Sequence, residues 1–135
     1  CDAPCSGEGL FRNDPDAVRE WSPDHVALCS ARQRRILAAA VEALAPGGLL
    51  IASECVRPFP GRTVYVEFVF ALLESFRSPI LDPGWRPTGG FLTPEQWMAA
   101  FRAAGFVDPF VWPDIPRIRE RYPSFVVAAV GATRP

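Results

Sequence analysis

Cys1, Asp2, Cys5, Gly7 and Gly9 fall within the first nine positions of this 135-residue chain, and no initiator methionine precedes them. Two thiols, a carboxylate and two backbone-permissive glycines set so close together are residue types that chemistry uses. A second concentration lies at Glu54 and Cys55, where the apolar run "LLIASEC" ends. A carboxylate beside a thiol raises the thiol's pKa and shrinks its thiolate fraction. Glu54 itself reads either as a base at an acceptor site or as a cap for the turn that follows. The four cysteines, Cys1, Cys5, Cys29 and Cys55, have the number for two bridges. A core-sized apolar content without a secretory leader instead favours reduced thiols and a cytoplasmic location. Without a C-x-x-C pair, and with His25 as the single histidine, no metal site is expected. No GxGxxG or GxxxxGK loop appears, so no phosphate cradle is expected either.

The rest of the chain supplies the elements that would position these residues. Apolar side chains make up 49% of it, enough for one core and too many for a disordered segment. Net charge is −1 and every one of the 14 basic residues is arginine, so contact with nucleic acid would have to be local. No apolar run approaches the roughly 20 residues that a membrane span needs, and no membrane partner is expected. Asp14-Pro15 and Ser22-Pro23 predict helix starts, each a capping side chain followed by proline. Val26, Cys29, Ile36, Leu37, Ala40, Val41 and Leu44 then recur at helical spacing, until Pro46-Gly47-Gly48 ends the helix. Residues 49–55 read as a buried parallel strand, and a helix feeding such a strand is half of a βαβ unit.

Tyr65, Phe68, Val69, Leu72, Leu73 and Phe76 form another stripe at helical spacing, expected to pack as core. Residues 77–92 make a loop long enough to suspect function. Thr93, Pro94 and Gln96 predict a capped helix carrying Trp97, Phe101 and Ala104 and ending at Gly105. Residues 106–112 and 125–132 read as two more strands. The order is helix, strand, helix, helix, strand, strand, preceded by a strand end at residue 1. Cys29 lies on an apolar stripe and belongs to the core, Cys1 to a strand interior, and His25 to an exposed first turn. Arg32, Arg34 and Arg35 read as a solvated helix face ahead of a phosphate track. Tyr65, Phe68 and Trp85 read as packing ahead of substrate stacking.

That order resembles the C-terminal half of a Rossmann-like, S-adenosylmethionine-dependent class I methyltransferase, an α/β sheet whose last strand is antiparallel. "DAPCSGEGLFR", followed by "WSPDHV" and "CSARQRRIL", closely resembles the RNA (cytosine-5)-methyltransferases of the Sun/RsmF type, from Cys1 to about Gly48. In that family a thiolate adds to cytosine C6 and so makes C5 nucleophilic, and a second cysteine assists release. The resemblance implies Cys55 as nucleophile, Cys5 (with Pro4 before it) as the releasing thiol, and Asp2 at the polar edge of the target base. Gly7 would allow close approach of the substrate. Glu54 stands where the family has threonine, and "VRPFPGR" replaces the acidic stretch that usually follows.

"SECVRPFPG", "GGFLTPEQWMAAFRAAGF" and "YPSFVVAAVG" resemble small-molecule or carrier-linked methyltransferases, in which an acidic residue often ends this strand. Residues 1–135 are thus expected to be a single partial methyltransferase domain, without the donor-binding N-terminal half and its glycine-rich loop. S-adenosylmethionine is the implied cofactor. RNA is the implied acceptor, with a small-molecule acceptor or a non-catalytic remnant as alternatives. Open sheet edges would favour self-association.

Overall fold

The computed structural model describes residues 11–72, 74–124 and 126–135, and only the backbone of residues 74, 75 and 126. The chain divides into two compact units, Cys1–Leu44 and Ala45–Pro135.

In the first unit, helix α1 (Pro15–Glu20) starts where Asp14 accepts a hydrogen bond from the Asp16 amide at 3.0 Å. Helix α2 (Pro23–Ala43) starts where the Ser22 hydroxyl accepts from the His25 amide at 3.1 Å. Both starts are the ones that the Asp-Pro and Ser-Pro pairs predict. Cys29 is buried on α2 and His25 is exposed, as their positions on the helix require. Leu37 departs from the expected stripe: it is exposed, one position round the helix from partly buried Ile36.

The second unit is a three-stranded sheet with helices packed on it. Strand β1 (Leu49–Val56), strand β2 (Val107–Trp112) and strand β3 (Val126–Thr133) lie in the order β1-β3-β2. The last strand runs antiparallel to both neighbours, as the resemblance to class I methyltransferases implies. Gly47 and Gly48 join the sheet at once: the Gly47 amide donates to the Arg134 carbonyl, and the Arg134 amide donates back to the Gly48 carbonyl, both at 2.8 Å.

Among the described residues, four further helices belong to this unit. They are α3 (Glu67–Phe70), α4 (Glu74–Arg77), α5 (Pro94–Ala103) and α6 (Ile115–Arg121). The α5 start is the predicted capping box, with the Gln96 amide donating to Thr93 Oγ1 and the Thr93 amide to Gln96 Oε1. The core gathers Val56, Phe101, Ile118, Ala128, Val130 and Ala132, with Leu50, Ala52, Trp97, Phe106 and Val111 against it.

Three expectations need correction. Strand β1 is not a parallel strand buried on both sides: it pairs with antiparallel β3, and Leu49 and Ile51 are exposed while Leu50 and Ala52 face the core. The stripe from Tyr65 to Phe76, of which Leu73 lies outside the described residues, is not one helix, and Tyr65, Phe68, Val69 and Leu72 are exposed. Two four-residue helices turn too briefly to hold one apolar face inward. Helix α6 was hidden from periodicity, although Asp114 caps it and Pro116 lies in its first turn.

Candidate functional site at the end of the first strand

Adjacent residues of a strand point to opposite faces, and this separates Glu54 from Cys55. Glu54 pairs with Ala128, on the side of Ala52 and Val56 and therefore of the core. Cys55 pairs with Val127, on the side of exposed Ile51 and Ser53. Both residues are partly buried, and Cys55 is a free thiol. Burial pushes the Glu54 carboxyl up from its ordinary value. The Cys55 thiol is pushed up as well, first by burial and then by the charge of Glu54. The carboxylate effect expected from the sequence is present, second in size to desolvation.

Immediately after β1 the chain is braced. Arg57 and Glu67 form a buried ion pair, with Arg57 Nη2 donating to Glu67 Oε1 at 2.6 Å and Arg57 Nε at 3.1 Å. The same Oε1 accepts from the Phe91 amide at 2.6 Å, and Oε2 accepts from the Val64 amide at 3.0 Å. With the Arg57 amide donating to the Leu92 carbonyl at 3.0 Å, the exit of β1 is tied to residues 64–67 and 91–92. Gly90 is required here. Its φ is 89°, and a Cβ would overlap Arg57 Nη2 and lie 2.7 Å from Glu67 Oε1. A cavity of about 420 Å³ opens beside this pair, lined in part by Thr63, Phe68 and Arg77.

From the other side, Arg119 of α6 donates from Nε to the Pro58 carbonyl at 3.0 Å and from Nη2 to Glu95 at 2.6 Å. Its guanidinium also lies over the Phe59 ring, 5.4 Å from the centroid. The backbone that presents Cys55 is therefore fixed by two arginines. Sequence reading missed both, along with Glu67. Arg57 stood directly after the strand and was available as a signal, but Glu67 was concealed inside an apolar stripe.

Of the site residues predicted from sequence, Glu54 and Cys55 lie together at the strand end, on opposite faces. Asp2, Pro4, Cys5 and Gly7 lie outside the described residues, as does Cys1. Trp85 is partly buried, whereas Tyr65 and Phe68, expected to pack, are exposed at 75% and 78%. Arg32, Arg34 and Arg35 are exposed along α2, the solvated face expected of them. Among the described residues, no three His, Cys, Asp or Glu side chains gather as a metal site would require. No described helix is long and apolar enough to cross a membrane.

Comparison with known proteins gives the class first: the chain is similar to methyltransferases. Residues 1–67 match the family described as 16S rRNA methyltransferase RsmB/F, and this stretch is a Sun/RsmF-type methyltransferase segment. Ribosomal RNA small subunit methyltransferase F of Salmonella agona is 38% identical over 104 residues, covering 74% of this chain. The Cronobacter sakazakii and Serratia proteamaculans proteins of the same description are 56% and 52% identical over 54 residues, each covering 40% of this chain. The chain spans 21% of the length of the Salmonella relative and 11% of the other two. The family match extends beyond Gly48 through β1 and its exit to residue 67, farther than the sequence motifs alone indicate.

Such a family implies S-adenosylmethionine, and the described residues do not fit it. Helices α1, α2, α5 and α6 each open with a proline and a side-chain cap, from Asp14, Ser22, Thr93 and Asp114. A donor cradle needs a glycine-rich turn leading from a strand into a helix. No described strand leads into one.

Proposed function

We propose that this chain carries the acceptor side of an S-adenosylmethionine-dependent RNA methyltransferase, the C-terminal half of a Rossmann-like sheet in a single partial domain. The observation that carries this reading is the RsmB/F match across residues 1–67, which includes "DAPCSGEG" and the strand that carries Cys55. The order β1-β3-β2, with the last strand antiparallel, supports it. S-adenosylmethionine is the methyl donor of this reading, RNA the acceptor and the cytoplasm the location.

The finer chemistry is methylation at cytosine C5. Cys55 Sγ, as thiolate, forms a bond to C6 of the target base, and the C5–C6 electron pair moves onto C5, which becomes the nucleophilic carbon. Once C5 is substituted, its proton leaves, the C5–C6 double bond re-forms and the C6–S bond breaks. Cys5 assists that release, Asp2 holds the polar edge of the base, and Pro4 and Gly7 shape the loop around it. Burial and the charge of Glu54 raise the Cys55 pKa, which lowers the thiolate fraction available for the attack near neutral pH. The test is methyl transfer to small-subunit ribosomal RNA by a protein that carries this chain together with a donor-binding half. The expected product is 5-methylcytosine, and a methylated RNA without it overturns the finer chemistry.

One observation favours a second reading. Glu54 is a partly buried carboxyl with an elevated pKa at the end of a strand, suited to accept a proton from a small-molecule acceptor. Loss of transfer in Glu54→Gln, with Cys55→Ala still active, would select that reading. The capped helix starts favour a third, a non-catalytic remnant. Calorimetric titration with the donor separates it, because micromolar binding is incompatible with an inert chain.

A further inference from the structure

The loop after α4 borders a second, open cavity of about 670 Å³, lined by Phe70, Phe76, Ile80, Trp85 and Arg86 among others. Its size lies within the roughly 300–1,000 Å³ typical of small-ligand sites. Its aromatic wall is held in place: Phe70, Phe76 and Phe91 contact one another pairwise, with ring centroids 5.3–5.6 Å apart. The loop is pinned by backbone bonds between Asp82 and Arg86, at 2.7 and 3.0 Å, and by Asp82 Oδ1 accepting from the Gly84 amide at 2.8 Å.

Arg86, which is partly buried, differs from buried Arg57. Arg57 is satisfied by Glu67, whereas no carboxylate pairs with Arg86 among the described residues. Arg86 Nη2 reaches the Gly90 carbonyl at 3.4 Å, and Nε is buried with no hydrogen-bond partner. A buried charged donor without an acceptor is rare, and its presence asks for an explanation. A guanidinium with no carboxylate partner, lining a cavity beside flat rings, suits a ligand that joins a planar ring to an anionic oxygen.

We propose that this cavity binds one unstacked nucleotide of the RNA acceptor, its base against Phe76 and Trp85 and a phosphate oxygen on Arg86. The proposal rests on the RNA methyltransferase reading and deepens it. Single-stranded RNA is commonly held in this way, with bases on aromatic faces and phosphates on arginine. The cavity lies beyond the residues of the RsmB/F match, so it would add a contact outside that segment.

The test is titration of the chain with cytidine 5′-monophosphate, cytidine, benzoate and inorganic phosphate, followed by tryptophan fluorescence and calorimetry. The monophosphate is expected to saturate and to quench, with the quench lost in Trp85→Phe. Cytidine and phosphate should each bind about tenfold or more weakly, the loss expected when a charge-assisted hydrogen bond or a stacked ring is removed. Arg86→Met should weaken monophosphate binding about tenfold or more, on the same grounds. Ile80 is 89% exposed, so Ile80→Glu leaves the fold intact while placing a repelling charge at the cavity, and it should also weaken binding.

No saturable binding of the monophosphate, or equal binding by both variants, overturns the proposal. Benzoate binding as tightly as the monophosphate also overturns it, and assigns the cavity to a small aromatic acid. Methyl transfer to RNA is read separately. Transfer without nucleotide binding removes the cavity and leaves the RNA reading; binding without transfer removes the RNA reading and leaves the cavity.

Discussion

The two sides of β1 differ although its sequence is apolar on both. On one side Leu50, Ala52 and Val56 join Ala128, Val130 and Ala132 beneath Phe101 and Ile118, and Ile118, Val56, Val130 and Ala132 have no exposed surface. On the other side Leu49, Ile51, Val127 and Trp112 are exposed at 51, 54, 52 and 65%. A strand covered on one face alternates apolar with polar, whereas β1 carries four apolar residues in succession from Leu49 to Ala52. Its composition suits burial on both faces, and its surroundings supply only one. Cys55 lies on the exposed side and Glu54 on the packed side, so the two residues that bear chemistry answer to different environments.

The largest expected effect is at the brace just after β1. Glu67→Gln leaves the Arg57 guanidinium buried without its counter-charge and should cost about 3–5 kcal/mol in denaturant unfolding. Ile118→Ala removes a fully buried side chain from under the sheet and should cost about 2–5 kcal/mol. Ile51→Ser, on the opposite side of the same strand, should change stability by only about 0.5 kcal/mol. An equal cost for Ile118→Ala and Ile51→Ser would erase the distinction between the two sides.

Smaller effects separate Glu54 from Cys55. The folded-state pKa of Glu54 lies above its ordinary 4.5, so the folded protein holds the proton more tightly than the unfolded chain. Its contribution favours folding at low pH and is lost as pH rises through 4.5 and then through the elevated folded value. Glu54→Gln should remove that part of the pH dependence, measured as the difference in melting temperature between pH 4 and pH 8. The Cys55 thiol titrates above its ordinary 9.0, so its alkylation by iodoacetamide should still be accelerating past that pH. Glu54→Gln should speed alkylation at pH 8 without bringing it to the rate of an unburied thiol. Burial, the larger cause, remains in that variant.

Local capping was legible in the sequence because it is decided within four residues. Asp14, Ser22 and Thr93 each open the helix that their Pro-containing neighbourhoods predict. The strand that carries Cys55 and the final strand were legible for a similar reason, as short apolar runs bounded by turn residues, whereas the antiparallel direction of the last came only from the resemblance to methyltransferases. What escaped was decided by distant partners. Glu67 sits between Val66 and Phe68 in the sequence, yet it anchors Arg57 and the amide of Phe91, 24 residues away. The exposure of Tyr65 and Leu72 depends on where a helix breaks, which helical spacing alone does not determine. Arg86 drew no attention because an orphaned donor can only be recognised once its surroundings are known.

The most direct test of the central claim is covalent capture of the base. A protein carrying this chain with a donor-binding half would be incubated with RNA containing 5-fluorocytosine, whose C5 fluorine cannot leave as a proton does, and adducts would be read by mass spectrometry. The account predicts an adduct on Cys55 that Cys55→Ala abolishes. With unmodified RNA, Cys5→Ala should accumulate the adduct because attack survives and release fails. An adduct that forms equally in Cys55→Ala, or none in any variant while methyl transfer proceeds, would contradict it.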